Sequence, residues 1–319
     1  MRSATFKTLA IIFGMALMVC FFPIESYAKE KSVLMFLWQG ETGAEQGFKD
    51  ALKEEFPDQN IKYTVLDAYR DMNRLKDQID GTDEKKYDLI YTYGSTISAK
   101  VAKTFQKTPI VFNKVMDPVG YRIVESWDQK QPNLTGASIA IPIEIQIQKI
   151  QEALGIGNMG YIYNPLDPKS VDLKKEMETI LEKKGVELIS FEFEKNFKSL
   201  KAYVDRIRDL VTCIYLPSER EVVGYIQRIF SDINRRKIPT VVTSTSTLKR
   251  GGLLCITADY YGVGELAGKL AAQILKGANP ADLPIAKPSE SEVKVYANSA
   301  ILKKFKMTLP KELNINYIK

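Results

Sequence analysis

Short, continuous apolar runs alternate with helical stripes along most of this chain, and that alternation leaves few folds open. The runs are SVLMFLW (32–38), YDLIYTYG (87–94), TPIVFNKV (108–115), MGYIYN (159–164), CIYLP (213–217) and IPTVVT (238–243). Their apolar residues are consecutive, the pattern of strands covered on both faces. Between the runs, apolar residues recur at helical spacing. Phe48, Ala51, Leu52 and Phe56 share a face, as do Ile97, Val101 and Phe105. Ile143, Ile147, Ile150 and Leu154 form a third stripe, and Leu200, Val204, Ile207 and Leu210 a fourth. Strand and helix repeat about every 25–30 residues, as consecutive βα units of a parallel sheet require. The expected class is α/β. The alternation pauses at DQKQPNLTGASIAIP (128–142), rich in turn formers, then restarts. That stretch is read as the boundary between two doubly wound, parallel-sheet lobes.

The first residues predict export. Arg2 and Lys7 are basic, Leu9 to Phe22 are apolar, and Ser26-Tyr27-Ala28 is a small-x-small site. This is the pattern of a signal peptide cleaved after Ala28, which places the mature chain in the periplasm or another extracytoplasmic space. A lipid anchor would use Cys20, but Val19 stands where a small residue is wanted. The 45 Lys and Arg against 39 Asp and Glu are spread along the sequence. Clusters such as Arg235-Arg236-Lys237 are short, which describes a solvated surface and no nucleic-acid patch. Cys213 and Cys255 sit inside apolar stretches, TCIYL and LLCIT. If these strands flank IPTVV, the thiols lie about 9.5 Å apart. A disulfide needs Cα atoms within about 7 Å, so both are expected to be free and buried.

No catalytic constellation stands out. The chain has no histidine, which removes the commonest general base and metal ligand. It has no Gly-x-Ser-x-Gly elbow, no metal-ligand spacing and no phosphate loop. Carboxylate pairs leave acid–base chemistry open, but the reading is a protein that is not an enzyme and uses no cofactor. Gly262-x-Gly264-x-x-Ala267 has the spacing of a dinucleotide turn, yet Ala258 to Tyr261 separate it from the strand. The better account is an amphipathic helix docked closely through Gly264 and Gly268 and stopped at Gly277.

Ligands of open parallel sheets bind beyond the carboxyl ends of the strands. The candidate contacts there are Trp38, Ser95, Thr96, Asn113, Asp117, Asn164, Glu219, Thr243, Thr245, Asp259 and Tyr260. Ser95 and Thr96 open a helix, where free N–H groups and hydroxyls suit an anion or simply cap the helix. Asp117 and Asp259 follow strands directly and can hold an ammonium group or start a turn. Trp38, Tyr93, Tyr163 and Tyr215 can stack on an apolar ligand or pack in the core.

Several stretches together resemble one family: PIVFNKVMDPVG, PNLTGASI, GYIYNPLDPKSV, ADYYGVGELAGKLAAQILKGANPADLPI and VKVYANSAILKKF. In order and spacing they are similar to the ABC-transporter substrate-binding proteins related to tryptophan and tyrosine uptake, which have the type I periplasmic-binding fold. The resemblance runs from about residue 32 to 310. It implies a monomer that closes two hinged lobes on a small molecule and delivers it to a membrane permease. It places three chain crossovers near 138–141, 258–261 and 284–288. The implied lobes are 29–139 with 260–285, and 140–259 with 286–319. The implied contacts are Ser95, Thr96, Asn113, Asp117, Asn164, the Thr243–Thr245 strand end and Asp259. Glu219 departs from the aspartate or threonine common in relatives, and VVTSTSTL is unusually rich in hydroxyls. The implied ligand is an amino acid with an apolar or aromatic side chain, or a related small organic molecule. A sensing module for a membrane kinase or chemoreceptor is the alternative role, and an exported carboxylate-dependent enzyme a more remote one.

Overall fold

The computed structural model describes residues 30–319, apart from 129–130 and 194–196. The expected signal peptide, its cleavage after Ala28 and Cys20 lie outside the described residues. The first part of the chain forms β1 (Lys31–Leu37), α1 (Gly43–Glu55), β2 (Ile61–Asp67), α2 (Met72–Asp80), β3 (Leu89–Tyr93), α3 (Ser95–Thr104), β4 (Ile110–Val115) and β5 (Leu134–Ser138). Next come α4 (Ile143–Leu154), β6 (Met159–Tyr163), α5 (Pro168–Glu182), β7 (Leu188–Glu192), α6 (Phe197–Ile207), β8 (Cys213–Leu216), α7 (Arg220–Gly224) and α8 (Ile226–Arg235). The last elements are β9 (Thr240–Val242), α9 (Thr245–Lys249), β10 (Leu254–Ala258), α10 (Tyr260–Leu275), β11 (Val293–Asn298), α11 (Ser299–Phe305) and β12 (Ile315–Ile318).

Two sheets result. The first has the order β2-β1-β3-β4-β5 and is parallel throughout. The second has the order β12-β11-β10-β9-β8-β6-β7. It departs from the expected parallel arrangement at one place, where β11 runs antiparallel to β10. Each sheet is covered on both faces. Val33, Met35 and Leu37 of β1 join Phe48 and Leu52 of α1 in one apolar cluster, while Leu34 and Phe36 join Ile97 and Val101 of α3 in another. That two-sided burial is why the central strands are continuously apolar. The edge strands β2, β7 and β12 are only partly buried and carry charged or polar residues, so they lack such a run.

The stretch 128–142 corrects one expectation. It is not only a boundary: residues 134–138 are wholly buried as β5, the last strand of the first sheet. A side chain at Gly136 would collide with the Phe112 carbonyl and ring, so a short small-residue strand is what fits beside β4. The chain passes from the first sheet to the second between Ser138 and Ile143. It returns at Asp259, and crosses again between Ala286 and Val293. The first and third passages touch: the Ser138 N–H donates to the Ala286 carbonyl at 2.9 Å, and the Ala286 N–H to the Gly136 carbonyl at 2.9 Å.

α10 packs on α1, although Glu55 and Tyr260 lie far apart in sequence. Side chains at Gly47, Gly264 and Gly268 would each overlap the facing helix; at Gly268 an added Cβ would lie 2.6 Å from both the Phe48 carbonyl oxygen and the Ala51 methyl. β9 lies between β8 and β10, so Cys213 and Cys255 are separated by a strand, and both are free and buried. None of the described helices is long and apolar enough to cross a membrane.

Candidate functional site

At the carboxyl end of β4 the backbone turns left-handed: Lys114 has φ 56°, and the register with β5 slips between Phe112 and Val115. A side-chain-bearing residue rarely adopts this conformation. Hydrogen bonds hold it there. The Lys114 N–H donates to Asn113 Oδ1 at 2.7 Å, and Asn113 Nδ2 donates to the Tyr91 hydroxyl at 3.0 Å. That hydroxyl donates to Glu45 Oε1 at 2.6 Å. Glu45 Oε2 accepts the N–H and hydroxyl of Thr42, both at 2.7 Å, closing the capping box of α1. Glu45, Tyr91 and Asn113 have no exposed surface. Burial, and then the Glu45 charge, push the Tyr91 phenol well up, so it stays a donor. The side chain of Asn113, an expected ligand contact, is buried and bonded within the protein.

The Lys114 ammonium contacts the Tyr93 hydroxyl and lies 4.1 Å from the centre of the Tyr260 ring. Burial, with Glu45 second, pushes the Tyr93 phenol up to about 12. Tyr260 opens α10 at the return crossing and is 38% exposed. Sequence reasoning passed over Lys114, although a lysine breaking the apolar run PIVFNKV was its available signal.

Ser95 and Thr96 begin α3 beside this group. Gly94 precedes them at φ 77° and donates its N–H to the Asn113 carbonyl at 2.8 Å. No side chain at Gly94 can cap the helix, so its first amides have no side-chain cap. Trp38, after β1, is partly buried against the α3 side of the sheet, and its carbonyl accepts the Arg70 N–H at 2.8 Å.

The two aspartates are both occupied. Asp117 pairs with Lys169 of α5, and its Oδ1 accepts the Gly120 N–H at 2.8 Å. Asp259 caps α10 through the Tyr261 N–H at 3.3 Å and pairs with Lys294 at 2.8 Å. Neither is an unpartnered ammonium acceptor in this conformation. On the second sheet, Glu219 accepts bonds from the Ser170 hydroxyl, the Tyr161 hydroxyl at 3.3 Å and the Asn164 N–H at 3.1 Å. Burial pushes the Glu219 carboxyl up, against these bonds. Asn164 Oδ1 accepts the Leu166 N–H at 3.0 Å. Thr243 shares a 2.7 Å hydroxyl contact with Ser218, and Thr245 opens α9 behind its Ser244 cap. Tyr163 and Tyr215 are buried.

The structure thus brings Asn113, Tyr260 and the start of α3 together around Lys114. Asn164 and Glu219 meet at the start of α5, and the Asp117–Lys169 pair joins the two sheets. None of the contacts described above links Trp38 to these groups.

Known proteins share this fold. The family of ABC transporter substrate binding proteins matches residues 38–317. Over 283 residues the chain is 28% identical to a tyrosine-binding protein of Clostridioides difficile (strain R20291), covering 86% of this chain and 80% of that one. Among solved structures it is similar to the ligand-free, open structure of a substrate-binding protein with adhesive properties from Clostridium difficile. That similarity has TM-score 0.74 and 20% identity, covering 91% of this chain and 99% of the other. A Streptococcus pneumoniae ABC domain in complex with L-Trp matches at TM-score 0.59 and 21% identity, over 91% of this chain and all of that one. The fold is the two-lobed α/β fold of type I periplasmic binding proteins, and the chain belongs to the family of ABC transporter substrate-binding proteins.

Proposed function

We propose that this chain is the extracytoplasmic receptor of an ABC importer and closes its two lobes on an amino acid with an apolar or aromatic side chain. The observation that carries this reading is the Asp117–Lys169 pair, which links the segment after β4 of the first sheet to α5 beside the second, with Tyr260 at a crossing between the sheets. The relatives favour an amino acid, since one is named for tyrosine and another was solved with L-Trp. In this reading the lobes are 29–139 with 260–285 and 140–259 with 286–319. The three passages between the sheets act as the hinge, and the leader is cleaved after Ala28. The chain works as a monomer and hands unchanged ligand to a membrane permease.

A thermal-shift screen of amino acids and small organic acids tests the ligand class. A ligand at about 100 times its dissociation constant adds about 2.7 kcal/mol of stability. Tyrosine, tryptophan or leucine should raise the melting temperature, and the bound compound should be recovered unaltered. A flat response to every amino acid overturns the ligand class. Co-purification from membranes with a kinase and no permease overturns the import role.

A further inference from the structure

We propose that Lys114 grips the ligand's carboxylate and so confines the protein to solutes that carry one. This deepens the amino-acid reading and rests on it for the ligand's other end. Lys114 has no ion-pair partner among the described residues, unlike Lys169 and Lys294, each paired with an aspartate. Its surroundings attract a cation without neutralising it: a tyrosine hydroxyl accepts one bond and the Tyr260 ring faces the ammonium at 4.1 Å. An ammonium has three donors, so two remain for a carboxylate.

The backbone supports this role. A regular β4 would carry position 114 to the face opposite Asn113. The left-handed turn and the register slip re-aim it at the strand's carboxyl end, the use to which bulges near binding sites are put. That conformation is costly for lysine and persists because Asn113, Tyr91 and buried Glu45 hold it in series. Among the described residues the Lys114 ammonium meets the tyrosines Tyr93 and Tyr260 and pairs with no carboxylate. The same hydrogen bonds would hold an asparagine or a glycine more easily. The first amides of α3 adjoin the same point through the Gly94–Asn113 bond and add donors of the same sign.

The test compares L-tryptophan, L-tyrosine and L-leucine with their decarboxylated amines and their deaminated acids, by calorimetry on the parent chain and three variants. Lys114→Asn keeps a residue that tolerates the left-handed backbone and removes the charge. Lys114→Gly is the second such variant if the first does not fold. Lys114→Arg restores the charge. The parent should bind a carboxylate-bearing probe at least about tenfold more tightly than the matched amine. In Lys114→Asn that preference should collapse while the melting temperature without ligand holds, and Lys114→Arg should recover part of it. Unchanged preference in Lys114→Asn or Lys114→Gly overturns the proposal. So does a parent that binds the amines equally well, or that answers to none of the carboxylates. A parent that binds the deaminated acids but no amino acid sustains Lys114 and removes the amino-acid reading instead.

Discussion

Glu219 is a carboxyl placed where its charge is disfavoured. Burial raises its titration point, and bonds from Ser170, the Asn164 N–H and Tyr161 oppose that shift without cancelling it. A carboxyl raised above its unfolded value contributes stability fully below that value, here 4.5, and loses it as pH rises through the folded value. The parent should therefore lose stability relative to Glu219→Gln as pH rises above 4.5. Melting curves of the two proteins across that range check it, and a difference independent of pH would place Glu219 at its ordinary value. The thiols make a second residue-scale case. Burial pushes Cys213 and Cys255 up to about 12, so neither forms thiolate at neutral pH. Iodoacetamide followed by peptide mapping should modify both only after unfolding. Rapid labelling of the native chain, or a bridge between them, would contradict the burial or the strand order. TCIYL and LLCIT already showed that these cysteines sit among apolar neighbours. No such local signal marks Asn113, which reads as a strand-end polar residue and is instead bonded to a tyrosine on the neighbouring strand.

At the scale of elements, α1 and α10 approach closely enough that their facing positions are glycines. Gly264→Ala puts a methyl group into the Ala44 carbonyl and forces the two helices apart. Overpacking of this kind costs about 1–3 kcal/mol. Gly224, at the end of α7, has no atom within 4 Å of the corresponding position. Gly224→Ala should be neutral or stabilise by up to about 1 kcal/mol. Urea unfolding of both variants separates close packing from helix propensity, and equal midpoints would refute the close approach. The helix itself was legible, because its apolar and small residues keep helical spacing and Gly277 stops it at φ 104°. Its pairing with α1 was not, since about 200 residues separate them and no local pattern encodes so distant a contact. The edge strands β2, β7 and β12 escaped for another reason: strands half open to solvent carry no continuous apolar run.

For the whole molecule, the Asp117–Lys169 pair spans the two sheets. Lys169 is 66% exposed and Asp117 24%, so solvent screens the pair. Such pairs contribute about 0–1 kcal/mol, which changes a conformational ratio by at most about fivefold. Lys169→Ala should favour separated lobes and raise the radius of gyration of the unliganded protein in X-ray scattering. Added salt should move the parent in the same direction. A radius unchanged by either would show that the pair does not hold the lobes together.

The sequence by itself determined the class of fold, because strands buried on both faces and helices buried on one must show different apolar periods. It also determined where to look, because ligands of parallel sheets collect at strand ends. Tertiary structure decided which strand-end residues remain available. Asp117 and Asp259 read as able to hold an ammonium group or to start a turn; each meets a lysine from a distant element, and Asn113 meets Tyr91. Lys114 drew no reading from the sequence, yet a left-handed turn carries its ammonium to Tyr93 and Tyr260. Pairing depends on which chain segments meet in space, and a side chain's direction depends on a single backbone angle. Neither leaves a periodic trace in the order of the residues.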